Sequence, residues 1–257
     1  MTARILYQFP QSHFAEKARW LLDAKGLEYR ARNLYPGLNR LKLWPRTGVG
    51  SIPALNDHGH WVGDSTAIAL YLEQIYPNIP LLSSESPVQS RQLAVNRLAE
   101  TIGIRSRQLV MIHLIDTPHP AHLYFRDAPL GKPLRALATG VFRTAVKTMY
   151  RATPAALGST QSHLASLYDQ AERFVLSRRS EFLVGDRLSL ADIALCSMLG
   201  PVLAPANSPW ADIANKPDID PQLLEARAAL AQRPLGEYVL AMYATHRNSQ
   251  DNWRGEW

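Results

Sequence analysis

Hydrophobic and polar positions divide this chain into two regimes. Up to about residue 78, short apolar runs alternate with helical periodicity. "RILYQF" (4–9) reads as a strand. Phe14, Ala18, Leu21 and Leu22 recur at i, i+4, i+7 and i+8, which predicts a helix with Glu16, Lys17, Arg19 and Asp23 elsewhere on it and Gly26 to end it. "LEYRARNL" then reads as a second strand, so the three elements form a βαβ unit with a parallel pair. After the basic, Pro- and Gly-punctuated segment "PGLNRLKLWPRTGVG" (36–50), "IPAL" and "HWVG" flank a turn and predict a hairpin. Ile68, Tyr71, Leu72 and Ile75 share one face of a following helix, which Pro77 stops.

Beyond "PNIPLLSSESP" (77–87) no strand is needed. Ser86, Pro87 and Gln89 suggest a capping box with proline at the first helical position, opening a helix that only Gly103 interrupts before about Leu114. Helical patterns follow at 131–151 (Leu134, Leu137, Val141, Ala145, Met149) and 160–177 (Leu164, Leu167, Ala171, Phe174). "LSLADIALCSML" starts another helix with a Ser189/Asp192 capping box and a Leu188–Ile193 staple, and short helices near 221–232 and 234–246 complete the pattern. The expected architecture is α+β: a small βαβ-ββα domain over 1–78, a linker at 79–86, and an all-helical domain over 87–257.

The 257 residues are 46% hydrophobic and 19% charged, an ordinary globular composition. No apolar run reaches the ~18 residues of a membrane span, and the N-terminus lacks a signal-type apolar region. The single cysteine, Cys196, excludes an internal disulfide framework and suits a reducing, cytoplasmic setting. A net charge of +6 favours anionic ligands, but no nucleic-acid motif, zinc-ligand spacing or block of five like charges accompanies it. Arg143, Lys147 and Arg151, at i, i+4 and i+8, are expected to form a solvated helix face. His58 and His60 fall in a hairpin turn, so no metal site is expected.

Four stretches in order carry a resemblance: "FPQSHFAEKARWLLDAKGLEY", "SIPAL", "GDSTAIALYLE" and "FLVGDRLSLADIAL". Together they resemble the serine-type, cytosolic members of the glutathione S-transferase superfamily across essentially the whole chain. The resemblance implies a thioredoxin-like N-terminal domain that binds glutathione, a helical domain that contributes the second-substrate site, a homodimer, and a role in detoxification. It also implies glutathione as cosubstrate with no tightly bound cofactor, and no nucleic-acid or membrane partner. The reaction implied is attack of the glutathione thiolate on a small hydrophobic electrophile. Alternatives on the same fold are a glutathione-dependent isomerase, dehalogenase or peroxidase, or a non-catalytic binding protein.

Individual roles follow by matching positions. Pro53 matches the family's cis-proline, with the Ile52 backbone expected to pair with the cysteinyl part of glutathione. Ser65 and the acid before it, Asp64 in place of the usual glutamate, match the residues that hold the γ-glutamyl end. Ser51 stands where a lysine is common, leaving Lys42 or Arg46 for the glycyl carboxylate. Ser12, two residues after Pro10, matches the catalytic serine. A thiol with pKa near 8.5 is only a few per cent ionised at pH 7, so a hydroxyl donor and a helix N-terminus have a job to do there. Tyr7 is offset from the position of the tyrosine-type catalyst and turned to the opposite strand face, and Cys196 lies mid-helix in the other domain, which disfavours thiol exchange. His13, Met111, His113 and the loop "HPAHLYFRDAPLGKP" (119–133) are the candidates for the second-substrate site.

Overall fold

The computed structural model describes residues 4–35, 38–119, 131–214, 216, 218–248 and 253–257. Strand β1 (Arg4–Gln8), helix α1 (His13–Ala24) and strand β2 (Arg30–Asn33) form the βαβ unit, with Leu6 opposite Ala31 in a parallel pair. Helix α2 (Leu38–Thr47) leads to the hairpin of β3 (Ala54–Asp57) and β4 (His60–Gly63), and α3 (Ser65–Ile75) closes the unit. The sheet order is β2-β1-β3-β4, with β3 antiparallel to both neighbours. β3 begins one residue after Pro53, and the Ile52–Pro53 bond is cis.

The helical part comprises α4 (Ser86–Leu114), α5 (Lys132–Tyr150), a 3₁₀ turn (Pro154–Ala156), α6 (Leu157–Ser177), α7 (Leu190–Leu203), α8 (Ala211–Ala214), α9 (Pro221–Ala231) and α10 (Pro234–His246). Every residue of α7 is buried; α4, α1, α9 and α10 pack around it, and α6 packs on α4 and α10. Gly103 permits the closest of these approaches, since a Cβ there would collide with the Met198 sulfur and sit 3.1 Å from the His13 ring. The capping box forms as expected at α7: the Asp192 carboxylate accepts from the Ser189 N–H (2.8 Å) and hydroxyl (2.7 Å). It also accepts from the Leu183 N–H and the Tyr238 hydroxyl, so one buried carboxylate ties three segments together.

Several expectations are overturned. The cap of α4 is Glu85, without a side-chain cap bond; Ser86 is already helical, and Gln89 turns back to donate to the Ser83 carbonyl (3.0 Å). One feature of α1 lies outside what its periodicity indicates: the polar residues Glu16, Lys17 and Arg19 are fully buried. The reason is that α1 lies between the sheet with α3 on one side and α7 on the other, which leaves no solvated face. Burial is tolerated because each charge is paired: Arg19 with Glu16 (2.8 Å), and Lys17 with Glu100 (3.1 Å).

The apolar row of α5 fails in the opposite sense. Leu134, Leu137, Val141 and Met149 are each more than half exposed, and Val146 is the one fully buried residue of that helix among those described. Lys147 forms a surface pair with Asp116 (2.7 Å), Arg143 donates to the Thr117 carbonyl (2.9 Å), and Arg151 is exposed.

Candidate functional site

β1 and β2 are parallel, so their carboxyl ends open on one side of the sheet, where α1 starts. Phe9 follows β1 directly and Tyr35 follows β2 by two residues. With Ala138 and Phe142 of α5 they make a half-buried apolar cluster between the sheet and the helices.

Ser12, three residues after Phe9 of this cluster, is the N-cap of α1 and nearly buried. Its Oγ accepts from the Ala15 N–H at 3.2 Å, which leaves the hydroxyl proton free of any protein acceptor among the described residues. The approach to Ser12 is pinned on every side. Ser12 N–H donates to the Phe9 carbonyl (3.2 Å), Arg19 to the Pro10 carbonyl (3.0 Å), and the Trp210 indole of the helical domain to the Gln11 carbonyl (3.1 Å). Arg19 also grips the Gln8 side-chain oxygen. Buried Arg19 therefore holds both the strand end and the loop that carry the serine.

Beside this cleft, the start of α3 gathers a polar network. Asp64, in the left-handed region at φ 73°, is the cap of α3: its Oδ1 accepts from Thr66 (2.8 Å) and Ala67 (3.1 Å). Ser65, expected to begin the helix as a ligand or a cap, is its first residue; its buried hydroxyl has no partner among the described residues and is covered in this conformation. Thr66 Oγ1 receives Lys17 Nζ (2.7 Å) and Asn96 Nδ2 (3.0 Å) and bonds the Glu100 carboxylate. Burial depresses the Lys17 ammonium below its ordinary pKa, against the opposing pull of Glu100 and Asp64. Lys17, Thr66, Asn96 and Glu100 escaped the sequence reading. The available signal was Lys17 itself, four residues after His13 on a helix otherwise read as apolar on that side.

Ser51 is exposed and Ile52 half-buried, beside a small cluster of Tyr7, Leu34, Leu43 and Ala54. Lys42 Nζ lies 4.7 Å over the Tyr7 ring and the Arg46 guanidinium 5.3 Å over the Trp61 ring. Burial and the neighbouring Arg32 and Arg46 lower the Lys42 pKa, marking a locally positive surface. Tyr7 is buried and stacks on Trp61.

The expected second-substrate residues are not assembled as a set. His13 is buried with its ring against Phe14 (4.5 Å) and the Gly103 backbone. Its imidazole is held well below the ordinary pKa by burial and by Arg107, with the Gly103 backbone pulling the other way, so it stays neutral at pH 7. His113 is also buried and engages Asp220, the cap of α9, at 2.7 Å. Met111 packs on the helical core. Neither faces the Phe9–Tyr35–Phe142 cluster. Of the loop 119–133, residues 120–130 lie outside the described residues. Cys196 is fully buried, and burial pushes its thiol pKa well up, so it holds no thiolate. His60 stacks on Tyr71 (4.9 Å), and no cluster of three metal-ligating side chains occurs among the described residues. No described helix is long and apolar enough to cross a membrane.

Residues 6–80 match the family description "Glutathione S-transferase, N-terminal domain", and residues 142–235 match "Glutathione S-transferase, C-terminal domain". The chain belongs to the glutathione S-transferase superfamily. Among similar proteins, a zeta-class glutathione S-transferase of Euphorbia esula is 28% identical over 196 residues, 74% of this chain and 72% of that protein. A glutathione S-transferase structure from Rhodospirillum rubrum F11 covers 95% of this chain and 99% of its own, with 21% identity and a TM-score of 0.56. Another, from Methylobacterium radiotolerans in complex with glutathione sulfonate, covers 92% and 94% at 19% identity and a TM-score of 0.54. The glutathione S-transferase fold is thus established: a four-stranded mixed sheet domain followed by helices.

Proposed function

We propose that this glutathione S-transferase homologue conjugates glutathione to a small hydrophobic electrophile, with Ser12 as the catalytic residue. The observation that carries the reading is Ser12 itself. Its hydroxyl accepts the Ala15 N–H and keeps its proton to donate, at the positive end of a 12-residue helix and the foot of an apolar cleft. Lowering a thiol pKa by two units takes about 2.7 kcal/mol of preferential thiolate stabilisation. One charge-assisted hydroxyl bond and the helix terminus together are of that size. The sulfur lone pair forms the new carbon–sulfur bond, while the bond from that carbon to its leaving group breaks and the leaving group departs with the bonding pair.

Glutathione would lie along the sheet edge at Ile52 and Pro53. Its γ-glutamyl carboxylate would meet the Ser65 hydroxyl and N–H at the start of α3, and its ammonium the second oxygen of Asp64. The orphan Ser65 hydroxyl supports this placement, because a buried polar group without a partner is costly unless a ligand supplies one. Lys42 and Arg46 would take the glycyl carboxylate beside Ser51. The electrophile would occupy the Phe9–Tyr35–Ala138–Phe142 cleft in place of the Met111–His113 position. We also retain the homodimer and the reducing, cytoplasmic setting as part of this reading; the exposed row of α5 offers a dimer apolar surface. Sedimentation at micromolar concentration tests for a mass of twice 28.8 kDa.

The zeta-class relative favours a second reading, a glutathione-dependent isomerase using the same Ser12-bound thiolate. The two separate on stoichiometry: conjugation consumes one thiol per turnover, whereas isomerisation returns it. The deciding experiment for both is ultraviolet difference absorbance near 240 nm during glutathione titration at pH 7, with S-methylglutathione as the control that cannot ionise. A saturating thiolate band that vanishes in Ser12→Ala is expected. Binding of the control without any band would leave a ligand pocket that activates nothing.

A further inference from the structure

β2 is the edge strand of the sheet, and an uncovered edge is a place where other chains pair. Residues 253–257 occupy it. The Glu256 N–H donates to the Ala31 carbonyl (2.9 Å) and the Asn33 N–H to the Glu256 carbonyl (2.6 Å), a parallel bridge centred on Arg32. Two buried amide side chains hold the segment further. Gln8 donates to the Trp253 carbonyl (3.0 Å), and Asn33 to the Arg254 carbonyl (2.7 Å). Gly255 lies at φ 59° directly over Asn33, where a Cβ would come within 2.6 Å of the Asn33 side-chain oxygen. The exposed Arg30–Glu256 pair adds little to this cradle.

The outcome of the docking is the position of Trp257. Its indole stacks on Tyr35, with ring centres 4.7 Å apart and planes 27° from parallel, and it remains 39% exposed. Tyr35 belongs to the cluster of Phe9, Ala138 and Phe142, and the Phe9 carbonyl is bonded to the Ser12 N–H. An aromatic wall therefore runs from Trp257 through Tyr35 to the cluster that holds Phe9, whose backbone carbonyl bonds the Ser12 N–H.

We propose that Trp257, placed by the 253–257 segment, is a specificity-determining residue of the second-substrate site and selects flat aromatic acceptors over small aliphatic ones. The proposal rests on the reading of the cleft beside Ser12 as the acceptor site. Its physical basis is that a rigid indole face offers stacking to a planar π-system and nothing comparable to an alkyl chain.

The test measures binding of S-(2,4-dinitrophenyl)glutathione and of S-methylglutathione to the full chain and to Trp257→Ala, Trp257→Phe and Gly255→Ala. Trp257→Ala should weaken the dinitrophenyl compound about tenfold and leave the methyl compound within twofold, with Trp257→Phe restoring most of the loss. Gly255→Ala, which keeps the indole but spoils its docking, should behave like Trp257→Ala. Equal weakening of both compounds, or no change in either, overturns the proposal. If the unsubstituted protein binds neither compound, the glutathione reading fails; 8-anilinonaphthalene-1-sulfonate, which needs no glutathione site, then decides about Trp257. Fluorescence enhancement lost in Trp257→Ala upholds the aromatic wall, and enhancement unchanged removes it.

Discussion

Arg247 and Glu16 lie 231 residues apart in sequence and meet at 2.7 Å in a fully buried ion pair. Arg247 also reaches Asp23 at 2.7 Å, so the residue directly after α10 clamps the first and last turns of α1. Burial alone would raise the Glu16 carboxyl, but Arg247 and Arg19 beside it hold its pKa below the ordinary value. Removing one partner of such a pair leaves an uncompensated buried charge, at a cost of about 3–5 kcal/mol. Arg247→Met should therefore destabilise the protein by about that amount in urea unfolding. Combining it with Glu16→Gln should cost clearly less than the two single changes added together, because each single change breaks the same Arg247–Glu16 contact and the double change loses it only once. Additive losses would show that the pair is not coupled.

On the proposed reading Ser12 has two functions, a cap and a thiolate donor, that substitution separates. As a helix cap, its loss should cost about 1 kcal/mol of stability. As the donor to a thiolate, its loss should return the glutathione thiol toward its solution pKa, two units higher on the proposed reading, and lower turnover about 50-fold near pH 6.5. Ser12→Ala measured by both unfolding and the pH–rate profile should show the small first effect and the large second one. A turnover loss under threefold would remove Ser12 from the chemistry.

The polar network at the start of α3 predicts a different balance. Glu100 is partly exposed, yet it is the carboxylate facing the buried Lys17 ammonium. Glu100→Gln should cost about 1–3 kcal/mol of stability, less than the fully buried Arg247 pair. Because Thr66 joins this network directly after Ser65, the same change should also weaken S-methylglutathione binding several-fold. Arg247→Met, remote from that helix terminus, should leave the affinity unchanged. Calorimetric titration of the two variants checks both, and equal affinities would separate the network from the ligand site.

The order of elements was legible because it rests on periodicity and punctuation. The alternation up to residue 78, Pro77 after α3 and the Ser189–Asp192 box each act through neighbours close in sequence. What escaped depends on partners far away in the chain. Nothing local shows that Arg247 will reach Glu16, so the burial of the α1 charges could not be read from the periodicity. Nothing local shows that the apolar row Leu134–Leu137–Val141–Met149 will be left uncovered, since the same pattern serves a core or a surface that pairs. His113 near the end of α4 looked free to meet a ligand until α9 supplied Asp220. The family motifs at Ser12, Pro53 and Ser65 were recognisable in sequence, whereas the aromatic wall at Tyr35 and Trp257 joins residues 222 positions apart and follows no motif.

His13 gives the protein an acid-side weakness. Its folded pKa lies well below the ordinary 6.5 through burial and the nearby Arg107, while in the unfolded chain it titrates near that ordinary value. Between pH 6.5 and the lower folded pKa, the unfolded state binds more protons than the folded state, so stability falls as pH falls. The loss is bounded at about 1.4 kcal/mol for each pH unit, and the full stability is present above pH 6.5. Urea unfolding between pH 5.0 and 8.0 should show that decline below 6.5 for the unsubstituted protein. His13→Asn keeps a hydrogen-bond donor near Gly103 but cannot ionise, so its profile should be flatter over the same window. Carboxylates with raised pKa, Asp23 and Asp192, are common to both proteins and cancel in the difference. A decline of equal slope in both would assign the acid sensitivity elsewhere and leave His13 a packing residue alone.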